Sequence, residues 1–288
     1  MSAARTGPQG SAAAAISAGP TPELVALEGV GSVRRRGRYR LRHIERPGTL
    51  PRHVQDALLD MITRASEVMF DGADTARYWD ERRDYFEQIT DWWVADRDGC
   101  LAGWCAFVRW ETPAGPALYI DTLGIMPRDR RSGIGTVLVT EAWMRRCIER
   151  RRAVVMTMRI QSPLILRMVL RCAAPWSYPR PGFARRRRTD RRAGAIAAHA
   201  AARTSPGFPF DAETFVIRGV FGRKLYGGPI PRTGVPALDD WFDRHLDIER
   251  GDALIAVMAL TPVTVPIGVF VLLAVRLDVL RRERQRDA

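Results

Sequence analysis

The sequence predicts an α/β (α+β) fold, a central sheet flanked by helices. Three observations carry that reading. Residues 119–127 form a strand-like run that passes through a glycine-containing turn, Arg130-Arg131-Ser132-Gly133-Ile134-Gly135, into a helical stretch over 136–151. A short apolar run with β-branched residues, 153–158, follows that helix and reads as a parallel partner of the first run. Two more apolar runs, 92–96 and 101–108, flank Arg97-Asp98-Gly99, and Asp-Gly between apolar runs is a strong hairpin signal.

The remaining elements follow in order. A first strand is expected over 38–42, then helices over 50–62 and 75–89, the second bearing Tyr78, Trp79 and Phe86. Aromatic residues at helical spacing belong either to the core or to a substrate cage. After 153–158, Gln161-Ser162-Pro163 opens another helix, with Ser162 as N-cap and Pro163 at its first position. Residues 214–221 read as a last strand.

The junction at 130–136 is suited to a pyrophosphate. The first turn of a helix leaves backbone N–H groups unpaired and partly positive, and glycines let an anion approach them. A dinucleotide fingerprint would need G-x-G-x-x-G and an acidic residue roughly 20 positions on. A P-loop would need Gly-Lys-Ser or Gly-Lys-Thr, and Lys224 is the only lysine. What remains is R-x-x-G-x-G after a strand ending in apolar-x-apolar-x-Pro. That pattern resembles the acyl-CoA-binding motif of the GNAT (N-acetyltransferase) superfamily, and the element order matches it over about residues 38–226, with specific motifs over about 90–170.

The resemblance implies a mixed, mostly antiparallel sheet with one splayed pair of parallel strands. It implies that Arg130, Arg131, Ser132, Gly133, Ile134, Gly135 and Thr136 seat the pyrophosphate of acetyl-CoA, the co-substrate. Backbone groups of Leu123, Gly124 and Ile125 would meet the pantetheine arm, with the Leu123 amide polarising the thioester carbonyl. Gln161 stands where the family often has an asparagine. An amine of pKa about 10 is protonated at neutral pH and needs a base or a water relay. Asp121 is the first candidate, and Glu111 a weaker one; Asp121 reads equally as a strand-end carboxylate paired with an arginine. The helix after 161 lacks the tyrosine that many family members use as acid, which leaves Tyr178, beyond that helix, as the candidate donor.

Composition bounds the partners. A chain of 288 residues, 46% hydrophobic and 27% charged, buries one substantial core with appendages or two small ones. A net charge of +13 invites nucleic acid or an anionic membrane. The charge is nearly all arginine beside abundant alanine, as a GC-rich genome would encode, and no nucleic-acid module is recognised, so nucleic acid is disfavoured. Cys100, Cys105, Cys147 and Cys172, and the scattered His43, His53, His199 and His245, offer no metal or redox spacing, and free thiols suit a cytoplasmic location.

Four regions are expected. Residues 1–36 form a disordered arm, 37–226 the acyltransferase domain with an Arg/Pro-rich insertion at 174–210, 227–252 an extension, and 253–288 an apolar segment with an arginine-rich tail. The insertion is either a solvated basic loop with a small packing helix or a counter-charge for phosphates. Residues 253–275 carry no charged side chain and are long enough to cross a bilayer, but Pro262 and Pro266 interrupt them. An interfacial hairpin, a buried or dimer-forming element and a true span all stay open. The expected activity is acyl-CoA-dependent transfer to a primary amine of a small molecule or protein, by direct attack in a ternary complex. The alternatives are a non-catalytic acyl-CoA-binding module that uses its basic segments to reach a partner, and a membrane-anchored scaffold.

Overall fold

The computed structural model describes residues 21–70, 75–112, 114–151, 154–173, 177–179 and 188–258. Helix α1 (Pro22–Val25), strands β1 (Ser32–Arg36) and β2 (Tyr39–Glu45) and helices α2 (Arg52–Met69), α3 (Ala76–Asp80) and α4 (Tyr85–Gln88) come first. The centre holds β3 (Asp91–Arg97), β4 (Cys100–Thr112), β5 (Gly115–Ile125), α5 (Ile134–Arg150), β6 (Val155–Ile160) and α6 (Pro163–Ala173). Then come β7 (Ser177–Tyr178), α7 (Arg188–Thr204), β8 (Phe210–Asp211), β9 (Val216–Ile217), α8 (Pro236–His245) and β10 (Ala253–Met258).

One sheet runs β1-β2-β3-β4-β5-β6-β10-β9-β8, with β7 pairing β10. Among the described residues every pairing is antiparallel except β5 with β6, the pair joined by the α5 crossover. The fold is therefore the mixed, mostly antiparallel sheet expected.

Helices cover both faces, which explains the lack of polar alternation in β3. Trp92 and Val94 face a core with Leu58, Ile62, Trp79 and Phe86. Trp93 and Ala95 face the other core, with Leu138, Trp143 and Phe242. The β3–β4 turn falls on Asp98 (φ 55°) and Gly99 (φ 78°), the left-handed pair that a tight hairpin requires. Helix α2 buries Leu58, Ile62, Ala65 and Met69, three or four residues apart, as an amphipathic helix should.

Several expectations change. Residues 21–36 are not an arm: Leu24 and Leu27 are buried, and β1 pairs with β2 from Ser32↔His43 to Arg36↔Tyr39. Residues 1–20 lie outside the described residues. The helix expected over 75–89 is two short ones, and the strand expected over 214–221 shrinks to β9. The place beside β6 is taken by β10, the first six residues of the apolar segment, all buried and in register from Leu254↔Ile160 to Met258↔Met156. The extension also joins the core through Leu238 and Phe242. The rest of the apolar segment and its arginine tail, 259–288, lies outside the described residues. Among the described residues no helix is long and apolar enough to cross a membrane.

A buried ionic cluster ties β2, β3 and β4 together. The Asp91 carboxylate accepts from Arg109 Nε at 2.6 Å and lies 2.9 Å from His43 Nε2, whose ring stacks on Trp93 at 4.5 Å. Burial opposes the charge on Asp91, but hydrogen bonds from His43 and Arg109 hold its pKa below the ordinary value. Its stabilisation is thus present above the unfolded carboxylate pKa of about 4 and is lost as pH falls through the lower folded value. Asp91→Asn should cost about 3 kcal/mol at pH 7. Urea melts should show that deficit shrinking on acidification; a deficit that is constant from pH 7 to pH 3 would refute the assignment.

Candidate active site

The site begins where the parallel ladder stops. Strands β5 and β6 pair from Ala117↔Val155 to Ile120↔Met158, and β5 then runs on to Ile125 with β4 as its neighbour and, among the described residues, no strand on the β6 side. Opposite, the β4–β5 register jumps from Phe107↔Ile120 to Ala106↔Thr122, so Asp121 is the extra residue of a bulge. A bulge bends its strand and interrupts the ladder. The resulting gap opens into a cavity of about 450 Å³ lined by Asp121, Thr122 and Leu123 of β5, and by Met158, Arg159 and Ile160 of β6.

Tight packing supports the bent strand. A Cβ on Gly124 would come within 2.6 Å of the Trp104 ring, so only glycine lets that indole lie across β5. The Trp104 Nε1 donates to Thr122 Oγ1 at 3.3 Å, and Thr122 is also hydrogen-bonded to Tyr85. A strap of residues 222–227 closes one side. The Leu225 amide donates to Gln161 Oε1 at 3.0 Å, and the Gly227 amide donates to the Phe70 carbonyl, just past α2, at 2.8 Å.

The anion seat forms at the end of β5. Gly133 caps α5 at φ 87°, Arg131 is left-handed at φ 65°, and Gly135 packs against Ile125. Below the turn, the fully buried Asp129 accepts from Tyr39 Oη at 3.0 Å and pairs with Arg97 at 3.0 Å. The first turn of a helix leaves its amides without intrahelical partners. The Ile134 amide meets Ser132 Oγ at 3.3 Å, and Thr136 is half-buried in the same turn. Arg131 is exposed at the rim, whereas the guanidinium of Arg130 donates to the Met69 carbonyl at 2.7 Å, bracing the turn against the end of α2.

The cavity concentrates charge and phenols. Arg82 pairs with Asp121 Oδ2 at 2.7 Å, both largely buried, and lies over the rings of Tyr78 and Tyr85. Burial works against the Arg82 charge, yet Tyr78, Asp121 and Tyr85 raise its pKa above the ordinary value. Burial, reinforced by Asp121, pushes the Tyr85 phenol and the Cys105 thiol well up, and burial with Asp121 also raises Tyr78. Tyr226, in the strap, is hydrogen-bonded to Ser162 and packs edge-on against Phe70; burial raises its pKa. It is thus protonated at neutral pH.

The structure brings Asp121, Leu123 and Gln161 together in the cavity wall and places the 130–136 turn at the end of the same strand. It moves Tyr178 away. That residue is buried in β7, paired with Val257 of β10, and does not line the cavity. The Gln161 side chain is engaged with backbone, donating to the Asp252 carbonyl at 2.9 Å as well as accepting from Leu225, so it shapes the wall instead of reaching for a ligand. Glu111 lies at the far end of β4, 3.8 Å from Arg150, outside the cavity lining. Arg82, Arg159 and Tyr226 carry no sequence motif, and their approach depends on segments far apart in the chain.

Residues 57–158 match the Acetyltransferase (GNAT) family, and the chain carries a domain of that family. Among solved structures it is similar to a GNAT family N-acetyltransferase (YhbS) from Escherichia coli in complex with CoA, at 18% identity over 46% of this chain and 67% of that one, TM-score 0.32. It is also similar to an IAA acetyltransferase from Bacillus cereus, at 12% identity over 77% and 99%, TM-score 0.38. A third is the ribosomal-protein-alanine N-acetyltransferase from Brucella melitensis, at 18% identity over 50% and 99%, TM-score 0.33. No curated protein is significantly similar to this chain.

Proposed function

We propose that this protein is an acetyl-CoA-dependent N-acyltransferase that acts on a primary amine in a ternary complex. The observation that carries the reading is the ladder that ends at Ile120↔Met158, one residue before a bulged carboxylate and on the strand that feeds the glycine-capped helix. An anion on the amides of Gly135 and Thr136, at the start of α5, and a chain laid along the open edge of β5 from Asp121 to Ile125 would lie end to end. The family match supports the transferase class.

Acetyl-CoA supplies the activated acyl group. The open β5 edge around Leu123 would align that group in the gap and polarise its carbonyl through backbone N–H. Asp121 would draw the ammonium of the acceptor and pass its proton to water, with Arg82 fixing the carboxylate through Oδ2. Tyr226 replaces Tyr178 as the donor to the departing thiolate, because it lines the cavity and keeps its proton. One observation favours a non-catalytic acyl-CoA-binding module instead: Asp121 is already ion-paired.

Calorimetry of the full chain with acetyl-CoA tests the seat. Gly133→Asn tolerates the left-handed backbone, so it should bind within about threefold of wild type. Gly133→Asp adds a carboxylate at the same place and should weaken binding roughly 10- to 100-fold. Equal affinities for the two variants would remove the seat. Asp121→Asn should lower kcat about 100-fold while acetyl-CoA affinity holds; turnover by none of a panel of amines, despite tight acetyl-CoA binding, would favour the binding module.

A further inference from the structure

The charged side chains that line the cavity are Arg77, Glu81, Asp121, Arg159, Arg223 and Lys224, and Arg159 is the one on β6 at the open end of the ladder. Asp121 is matched by Arg82 at 2.7 Å, Glu81 by Arg77 at 3.0 Å and Lys224 by Glu249 at 3.1 Å. Arg159 has no carboxylate partner among the described residues. Its Nη1 donates to the Thr204 carbonyl at 3.1 Å, at the end of α7, and to Ser205 Oγ at 2.9 Å. Its guanidinium stacks on Phe221 at 4.6 Å, and its buried Nε has no hydrogen-bond partner. The end of a helix offers only a partial negative charge. A half-buried guanidinium with no carboxylate partner among the described residues, in the wall of a cavity, is a site for an anionic group.

Its position identifies whose anion. Arg159 is the first residue of β6 beyond the last paired rung, and Asp121 is the first of β5 beyond the same rung. Both act electrostatically on Tyr78 and on Tyr119, whose phenol burial pushes up to about 12. A carboxylate and a guanidinium therefore stand on the two lips of one gap. The walls between them are aromatic: Phe70, Tyr78, Trp79, Trp104, Phe221 and Tyr226. We propose that the acceptor is an amine that carries its own carboxylate on an apolar or aromatic body, an amino acid with a hydrophobic side chain, held with its amine toward Asp121 and its carboxylate on Arg159. This rests on the acyltransferase reading above and names its substrate class.

The pair phenylalanine and phenethylamine tests it, because the two share ring and amine and differ in the carboxylate. With CoA present, calorimetry of the full chain should show phenylalanine binding at least about tenfold tighter than phenethylamine. Turnover with acetyl-CoA should favour phenylalanine in kcat/KM by a similar factor. Arg159→Gln should erase most of that preference while keeping acetyl-CoA affinity and the thermal midpoint; Arg159→Lys should restore part of it. The wild-type comparison stands even if a variant folds poorly. Phenethylamine bound or turned over as well as phenylalanine would overturn the proposal, as would failure to bind either while acetyl-CoA binds. A loss in Arg159→Gln of discrimination between succinyl- and acetyl-CoA, with the amine preference unchanged, would reassign the anion to the acyl donor and also overturn it. Failure of acetyl-CoA to bind the folded chain is the separate result that removes the acyltransferase reading itself.

Discussion

Two adjacent parallel strands ordinarily stay paired as far as both extend, because each missing rung leaves a backbone donor and acceptor to find other partners. In this protein β5 and β6 pair from Ala117 to Ile120 and from Val155 to Met158, and both continue past the last rung. What ends the ladder is a single inserted residue. With Asp121 accommodated as a bulge against Ala106 and Phe107, β5 bends away from β6 while keeping its β4 partner through to Gly103↔Ile125. The cavity, the open backbone edge and the carboxylate at its mouth all follow from that one irregularity.

A gap in the middle of a sheet would be expected to close by collapse, since packed interiors leave few voids. One packing contact and two sets of hydrogen bonds hold it open. Trp104 lies across Gly124, Arg130 reaches from the α5 turn to the last carbonyl of α2, and the strap is tied at Gln161 and at Phe70. Asp129 adds a fully buried carboxylate under the turn, satisfied by Tyr39 and Arg97. Burying such groups costs stability unless each finds its partners, and here they fix the position of backbone that has to meet a ligand.

The local parts of this design are legible in the sequence, and the long-range parts are not. The Asp98-Gly99 turn, the glycine cap of α5 and the start of α6 at Pro163 depend on a few neighbouring residues with specific backbone needs, so they can be read directly. β10 could not be read that way. A strand buried on both faces is uniformly apolar and carries no period, so by sequence 253–258 reads as the start of an apolar segment long enough to cross a membrane. Residues 21–36 read as part of an arm because 1–36 is rich in Ala, Ser, Gly and Pro and ends in Arg34-Arg35-Arg36, although Leu24 and Leu27 are buried. Tyr178 follows the expected helix in sequence, but a step from one element to the next in sequence says nothing about which side of the sheet the chain then takes. Tyr226 and Arg159 needed the three-dimensional gap to acquire meaning.

Arg82 shows why the cavity floor is ionic although an apolar floor would be the more stable choice. Its guanidinium lies 5.2 Å from the Tyr78 ring, 6.0 Å from Trp79 and 5.0 Å from Tyr85, and pairs with Asp121 with only 17% and 13% of the two side chains exposed. A buried ion pair of this kind often contributes less stability than a hydrophobic replacement of the same volume. Its contribution here is geometric. The planar cation packs on three rings, and through Oδ2 it orients a bulged carboxylate that its backbone alone would leave free to rotate. A lysine would keep the charge and lose that orientation, since it has neither the flat face nor the fork. The same burial keeps Tyr78 and Tyr85 neutral, so the floor presents one oriented carboxylate flanked by phenols, with the positive Arg159 across the gap. The field across the opening therefore has a fixed direction, set by residues from four separate elements that only the break in the β5–β6 ladder brings to one place.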